Sequence, residues 1–127
     1  MKDTLETYIK MCDCPEIQDQ WKPRQGDVFT KRSDWQPKFH LYMCNVEEWT
    51  PRKQDLRFYI WLPHQGQIQE MLGMANDILL DNFNEFLSCY FSRIAIRENF
   101  SMEQLWLMFY MHKNHNKIWD GENWVKE

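Results

Sequence analysis

Residues 100–124 carry the clearest pattern of apolar and polar positions, and it spells a helix followed by a hairpin. Ser101 stands where its hydroxyl can accept from the Gln104 N–H while Gln104 reaches back, a capping box. Phe100 and Leu105 have the spacing of a hydrophobic staple across that cap. Residues 105–111 are apolar almost without a break. On a helix, Met102, Leu105, Trp106 and Phe109 take one side, and Leu107, Met108 and Met111 the other. A helix apolar nearly all round is buried on several sides, so this one is expected at the centre of the core. His112, Lys113, His115 and Lys117 set cations at its end, where the helix dipole is negative. Asp120-Gly121 then predicts a tight turn, since Gly accepts positive φ and Asp tolerates it. Trp119 and Trp124 flank that turn and are expected to fold back on the helix. As core lids they have a simpler role than as a ligand platform.

Earlier in the chain, Leu5, Tyr8, Ile9 and Cys12 recur at helical spacing and predict a short amphipathic helix over Thr4–Cys12. Pro15 suits the first position of another turn, where its missing N–H is not needed. Trp21, Pro23 and Gly26-Asp27 form a loop leading to three strand candidates, at 27–31, 39–44 and 56–61. In the second, Phe39, Leu41 and Met43 alternate with His40, Tyr42 and Cys44. In the third, Leu56, Phe58 and Ile60 alternate with Arg57, Tyr59 and Trp61. A turn at 33–37 and a polar loop at 46–54, holding Trp49 and Pro51, connect them. The simplest arrangement is an antiparallel sheet with one face on the core.

Leu62-Pro63 ends the sheet half. Ile68, Met71, Leu72 and Ala75 share a helical face, and Gly73 can cap its end. A second run from about Asp77 holds Ile78, Leu79, Phe83, Phe86, Leu87 and Tyr90. The pattern over 64–91 fits one kinked helix or two. Ile94 and Ile96 alternate with charge, so the connector 92–99 has room for a brief strand. The expected fold class is α+β: a short N-terminal helix, a small antiparallel sheet, then a helical half with a buried C-terminal helix and terminal hairpin.

At 127 residues the chain is expected to form a single domain, 1–127, with a real core. Aromatics make up 16%, with seven Trp and eight Phe, which excludes global disorder. The net charge of −4 is well mixed, so nucleic-acid binding through a basic face is disfavoured. No apolar run is long enough to span a membrane. Met1 is followed by Lys2, Asp3 and Thr4 rather than an apolar run, so no secretory signal is expected and the location reads as cytoplasmic. Cys12, Cys14, Cys44 and Cys89 are then expected as free thiols.

Three strings stand out together: CPEIQDQWKPRQGD at 14–27, WLPHQGQIQEM at 61–71 and SMEQLWLMFYMHKNHNKIWDGENW at 101–124. Together they resemble small uncharacterised proteins encoded in bacterial prophages, which carry a Trp-Leu-Pro-x-Gln segment and a Ser-Met-Glu-Gln-Leu-Trp helix closed by a Trp–Gly–Trp hairpin. The resemblance spans much of the chain. It implies a phage-derived, intracellular origin and no particular chemistry.

Candidate chemistry is sparse. Cys12 and Cys14, with His112 and His115 one helical turn apart, are the one set with metal-ligand character. A single residue between the cysteines is shorter than zinc pairs use, and an apolar helix face and a charged helix terminus already explain Cys12 and the two histidines. No metal or other cofactor is therefore expected. Cys89, beside Tyr90 and Phe91, reads as core. Glu47 and Glu48 point to different sides in any regular element, and Asp81 and Glu85 share a solvated helix face, so no acid–base pair is expected. Gly66 and Gly73 form no phosphate loop. Gln65 and Gln69 share a face that fits a partner or water. Arg52, Lys53 and Arg57 with Tyr59 and Trp61 suit a basic aromatic strand surface of the kind single-strand binders use. A solvated sheet face accounts for them as well.

The first expectation is a phage-related intracellular protein that acts by protein–protein contact, with another protein or a second copy, and without catalysis. Aromatic side chains favour interfaces, and the candidate binding residues are Trp49, Tyr59, Trp61, Trp119 and Trp124. The alternatives are a nucleic-acid-associated accessory protein and a small metal-binding protein. Exposed clustered aromatics favour the first, a contiguous Arg/Lys face the second, and convergence of the cysteines with two histidines the third.

Overall fold

Helix α1 spans Thr4–Cys12 and turns Tyr8, Ile9, Met11 and Cys12 inward, the face the apolar spacing marks with Met11 added. Pro15 starts a single helical turn, α2 (Pro15–Gln18), with Cys14 extended before it. The computed structural model describes residues 4–32, 40–90 and 100–127. The expected turn at 33–37, with Trp35, and the possible strand at 92–99 lie outside the described residues. The chain clusters into two compact units, Met1–Pro63 and His64–Glu127. The fold is α+β.

In the first unit a three-stranded antiparallel sheet runs in the order β2-β1-β3. Strand β1 (Val28–Lys31) lies in the middle, β2 (Tyr42–Met43) on one side and β3 (Tyr59–Trp61) on the other. The register pairs Phe29 with Tyr42 and with Trp61, and Thr30 with Ile60. Alternation puts Phe29, Lys31, Tyr42, Tyr59 and Trp61 on one face, and Val28, Thr30 and Ile60 on the other. Both flanking strands are shorter than their alternation predicts. Residues 53–58 are not strand but a 3₁₀ helix, Lys53–Phe58. β1 is only four residues long, and its described register with β3 ends at the Lys31–Tyr59 pair. Past that point the Arg32 side chain takes over, its Nε donating to the Arg57 carbonyl at 2.8 Å. On the other side Thr30 Oγ1 donates to the His40 carbonyl at 2.8 Å, where β2 has already ended. A single side-chain bond needs no extended backbone beyond it, so the ladder stops.

The loop into β1 is pinned. The Trp21 indole N–H donates to Asp27 Oδ2 at 3.1 Å, and the Arg24 N–H to the same oxygen at 2.9 Å. Both Trp21 and Asp27 are buried, so the carboxylate is held by donors rather than left bare. The Tyr8 hydroxyl donates to the Pro63 carbonyl, tying α1 to the end of this unit.

In the second unit, 64–91 holds two helices. Helix α3 (Gln65–Leu72) ends on Gly73, whose φ of 65° is the left-handed conformation glycine adopts without Cβ strain. Helix α4 (Asn76–Tyr90) follows. His64 and Gln67 form a capping box on α3: Gln67 N–H donates to His64 Nδ1, and Gln67 Oε1 accepts from His64 N–H at 3.0 Å. Helix α5 (Met102–His115) has the expected box, with Ser101 Oγ accepting from Gln104 N–H at 3.2 Å and Gln104 Oε1 accepting from Ser101 N–H at 2.8 Å. Residues 106–111 are all buried, so α5 is covered on every side, while Met102 at its first turn stays exposed. Both α3 and α4 pack on α5. Phe83 stacks on Trp106 with ring centres 3.8 Å apart, and Phe109 packs against Phe83, Phe86 and Trp106.

Asn116, at φ 53°, ends α5 and turns the chain into β4 (Lys117–Trp119). Lys117 therefore belongs to the hairpin and not to the helix end. Strand β5 (Trp124–Lys126) pairs antiparallel with β4, and Trp119 lies opposite Trp124. The loop between them is four residues rather than the two the Asp-Gly pair suggests. Asp120 closes it by accepting from the Glu122 and Asn123 N–H groups at 2.8 and 2.7 Å, and Gly121 supplies a φ of 110°.

Candidate functional site

Exposed apolar residues of the first unit are Phe58, at the end of the 3₁₀ helix, and four in segment 41–49, of which Met43 lies on the Val28 face of the sheet and Trp49 on the Phe29 face. Leu41, Met43, Val46 and Trp49 are 51, 64, 57 and 52% exposed. Among the described residues β2 ends the strand order on its side of the sheet, and Met43 pairs with Val28 of β1. The chain then reverses through a tight turn, in which Trp49 N–H donates to the Asn45 carbonyl at 2.7 Å. That reversal lays the Trp49 ring on the aromatic face, 6.0 Å from Phe29 and 5.9 Å from Tyr59. Tyr42 and Tyr59 flank Phe29 at 5.6 and 5.2 Å, and Lys31 Nζ lies 4.9 Å over the Tyr42 ring. Trp61 stacks on Trp21 at 6.3 Å with planes 3° apart, deeper in the same face.

An open cleft of ≈ 940 Å³ lies beside this face, within the first unit. Trp21, Leu56 and Tyr59 line it together with Pro15 and Pro23. Lys22, Arg32, Lys53 and Arg57 add four cations, and Asp13 and Asp19 two carboxylates. Arg32 is fixed at both ends of its guanidinium, by Asp13 Oδ1 at 2.8 Å and by the Arg57 carbonyl. No hydrogen bond or ion pair ties Lys22 or Lys53 among the described residues.

The candidate aromatics differ in exposure. Trp61 and Trp119 are interior side chains at 5 and 3% exposure, and offer no ring face to a ligand. Trp49 is half exposed and Tyr59 partly so, and the two are in contact. Trp124 is partly exposed, edge-on to Trp119 with centres 5.1 Å apart. Arg52 is exposed and bonds to Asp55 at 3.2 Å, ahead of the sheet instead of on a strand.

The metal candidates each have local roles. Cys12 is fully buried at the end of α1, and burial pushes its thiol well up, outweighing the hydrogen bond with Tyr8. A thiol held neutral is a poor metal ligand or nucleophile. Cys14 Sγ donates to the Met11 carbonyl at 3.7 Å. His112 Nδ1 pairs with Glu127, and His115 Nε2 lies 3.3 Å from the Tyr110 hydroxyl. Among the described residues, no group of three or more His, Cys, Asp or Glu side chains is arranged to hold a metal ion. Cys89 is exposed rather than core: it lines a small pocket of ≈ 200 Å³ between α4 and α5 with Phe86 and His112.

The alternation in 39–44 marks two faces, but apolar residues occupy both, so it does not tell which one is covered. Leu41, Met43 and Val46 therefore gave no signal of exposure. Trp21, Lys22 and Arg32 gave none as cleft residues, because they lie far from 53–59 in sequence and meet it only through the sheet.

No protein-family model, curated protein or solved structure matches this chain. No helix among the described residues is long and apolar enough to cross a membrane.

Proposed function

We propose that this is a phage-derived cytoplasmic protein that acts by contact with another protein rather than by catalysis, and that segment 41–49 makes the contact. The observation that carries it is four large apolar side chains, Leu41, Met43, Val46 and Trp49, each more than half exposed within nine residues. Isolated exposed apolar residues need no explanation, whereas four in one short segment, Met43 on the Val28 face of the sheet and Trp49 on the Phe29 face, favour a contact that wraps this margin. Trp49 supplies the aromatic anchor that interface centres favour.

The test compares the wild-type chain with a Met43→Glu, Trp49→Ala variant. Both residues are exposed, so the variant keeps its fold, which circular dichroism checks. A partner retained by the wild type and lost by the variant supports the proposal. So does a dimer seen by sizing with light scattering that the variant abolishes. A monomer whose captured proteins are the same for both chains overturns it.

A further inference from the structure

We propose that the cleft in the first unit binds a nucleoside phosphate, either a free nucleotide or one unit of a single strand. The site adjoins the 41–49 contact surface where Trp49 packs on Tyr59, but no residue of 41–49 lines it, and the inference stands without that reading.

Three features point to this ligand chemistry. The first is charge. The chain as a whole carries −4, yet the cleft is lined by four cations and two carboxylates. Asp13 is engaged by Arg32 at 2.8 Å, which leaves Lys22, Lys53 and Arg57 facing Asp19 alone. A local cationic surplus in an acidic chain selects an anion. The second is preorganisation. Arg32 is locked by Asp13 and the Arg57 carbonyl, so its remaining N–H donors hold a fixed direction at little entropic cost. Lys22 and Lys53, on exposed flexible stems, can close on phosphate oxygens. The third is the apolar lining. Tyr59 and Leu56, both partly exposed, offer a surface that a bare polyphosphate does not use, and a planar base does. Asp19 then has a part as well, as an acceptor for a sugar hydroxyl or an exocyclic amine. A volume of ≈ 940 Å³ has room for a ligand of nucleotide size.

The experiment titrates the full chain with ADP, with inorganic pyrophosphate and with an oligothymidylate, following amide shifts by NMR. Saturable ADP binding that moves residues of the cleft, tighter than pyrophosphate, is the expected result. The double variant Lys53→Glu, Arg57→Glu should weaken it about tenfold or more, the scale of two charge-assisted contacts. Lys10→Glu alters a cation outside the cleft and should leave binding unchanged. Both variants change exposed side chains, and an unaltered melting temperature confirms the fold. If the oligothymidylate binds the same residues more tightly than ADP, the source is a single strand; if it does not compete with ADP, the source is the free nucleotide. Three outcomes overturn the proposal: no saturable binding by ADP or oligothymidylate, pyrophosphate binding as tightly as ADP, or affinity that the double variant leaves intact.

Discussion

The Gln18 side-chain amide pairs with both backbone groups of Trp61: Oε1 accepts from the Trp61 N–H at 2.8 Å, and Nε2 donates to the Trp61 carbonyl at 2.9 Å. The neighbouring Leu62 N–H turns the other way, to the Val28 carbonyl in β1 at 2.9 Å. Trp61 therefore presents its backbone outward on the open side of β3, and one glutamine serves as a single-residue strand there. Its second N–H reaches the Cys12 carbonyl at 2.9 Å, so the same amide joins α1, α2 and the sheet edge.

Gln18→Ala leaves the Trp61 N–H and two carbonyls without this partner. The expected loss is about 1–3 kcal/mol, the cost of partly buried polar groups left unpaired. Gln18→Glu is expected to lose at least as much at neutral pH, because a carboxylate can accept from Trp61 but cannot donate to either carbonyl. Urea denaturation of both variants checks this. A Glu variant as stable as the wild type would show that the donor half of the amide contributes nothing.

Trp106 stacks on Phe83 and is wholly buried in α5. Trp106→Ala should cost about 3–5 kcal/mol, a large share of a small protein's stability. The indole N–H has no acceptor among the described residues. Trp106→Phe should therefore lose ring area but no hydrogen bond, and cost clearly less. Ser101→Ala removes one cap bond and should cost about 1 kcal/mol. Denaturant midpoints that rank these three differently would show that the helix is not held by its aromatic packing.

Thiol labelling of the folded chain should follow burial. Cys89 is exposed and is expected to react first. Cys14, half-buried and bonded to Met11, should follow, whereas Cys12 and Cys44 should react only on unfolding. Burial holds the Cys12 thiol well above its ordinary value, so raising the pH modestly should not expose a thiolate. Mass spectrometry of iodoacetamide-treated protein at increasing urea reads the order. Cys12 labelled at the rate of Cys89 in native protein would contradict the buried end of α1.

What could be read before folding was local. The bounds of α1, the proline at the start of α2, the Ser101 box and the Gly73 cap each depend on residues a few positions apart. The His64 box escaped because that signature expects Ser or Thr at the cap; here an imidazole nitrogen does the same task. The 3₁₀ turn at Lys53–Phe58 escaped because strand length is set by the partner, and Arg32 rather than a strand answers Arg57. The Gln18–Trp61 and Trp21–Asp27 bonds carry no sequence signature at all. The same holds for the candidate site: Trp49 was visible as an aromatic in a polar loop, but its place on Phe29 and Tyr59 required the reversal at Asn45.

The loop of the terminal hairpin should be acid-sensitive through the Asp120 carboxylate. Asp120 accepts from the Glu122 and Asn123 N–H groups, and these bonds hold its carboxyl below the usual value. A depressed folded value means that the ionised form is favoured by the native loop. The contribution is then fully present above the unfolded value of about 3.9 and is lost as pH falls through the lower folded value. Asp120→Asn keeps an acceptor oxygen but cannot titrate there, so its loop should be indifferent to acid over the same range. NMR shifts of the Trp119 and Trp124 indoles, which pack edge to face at 5.1 Å, report the closure of the loop. In the wild type they should hold steady from neutral pH to about 5 and move together as the pH falls below about 4. In Asp120→Asn that movement should be absent. Identical acid profiles for the two chains would mean that the loop is closed by its backbone alone, with Gly121 and the Asp120–Asn123 main-chain bond sufficient.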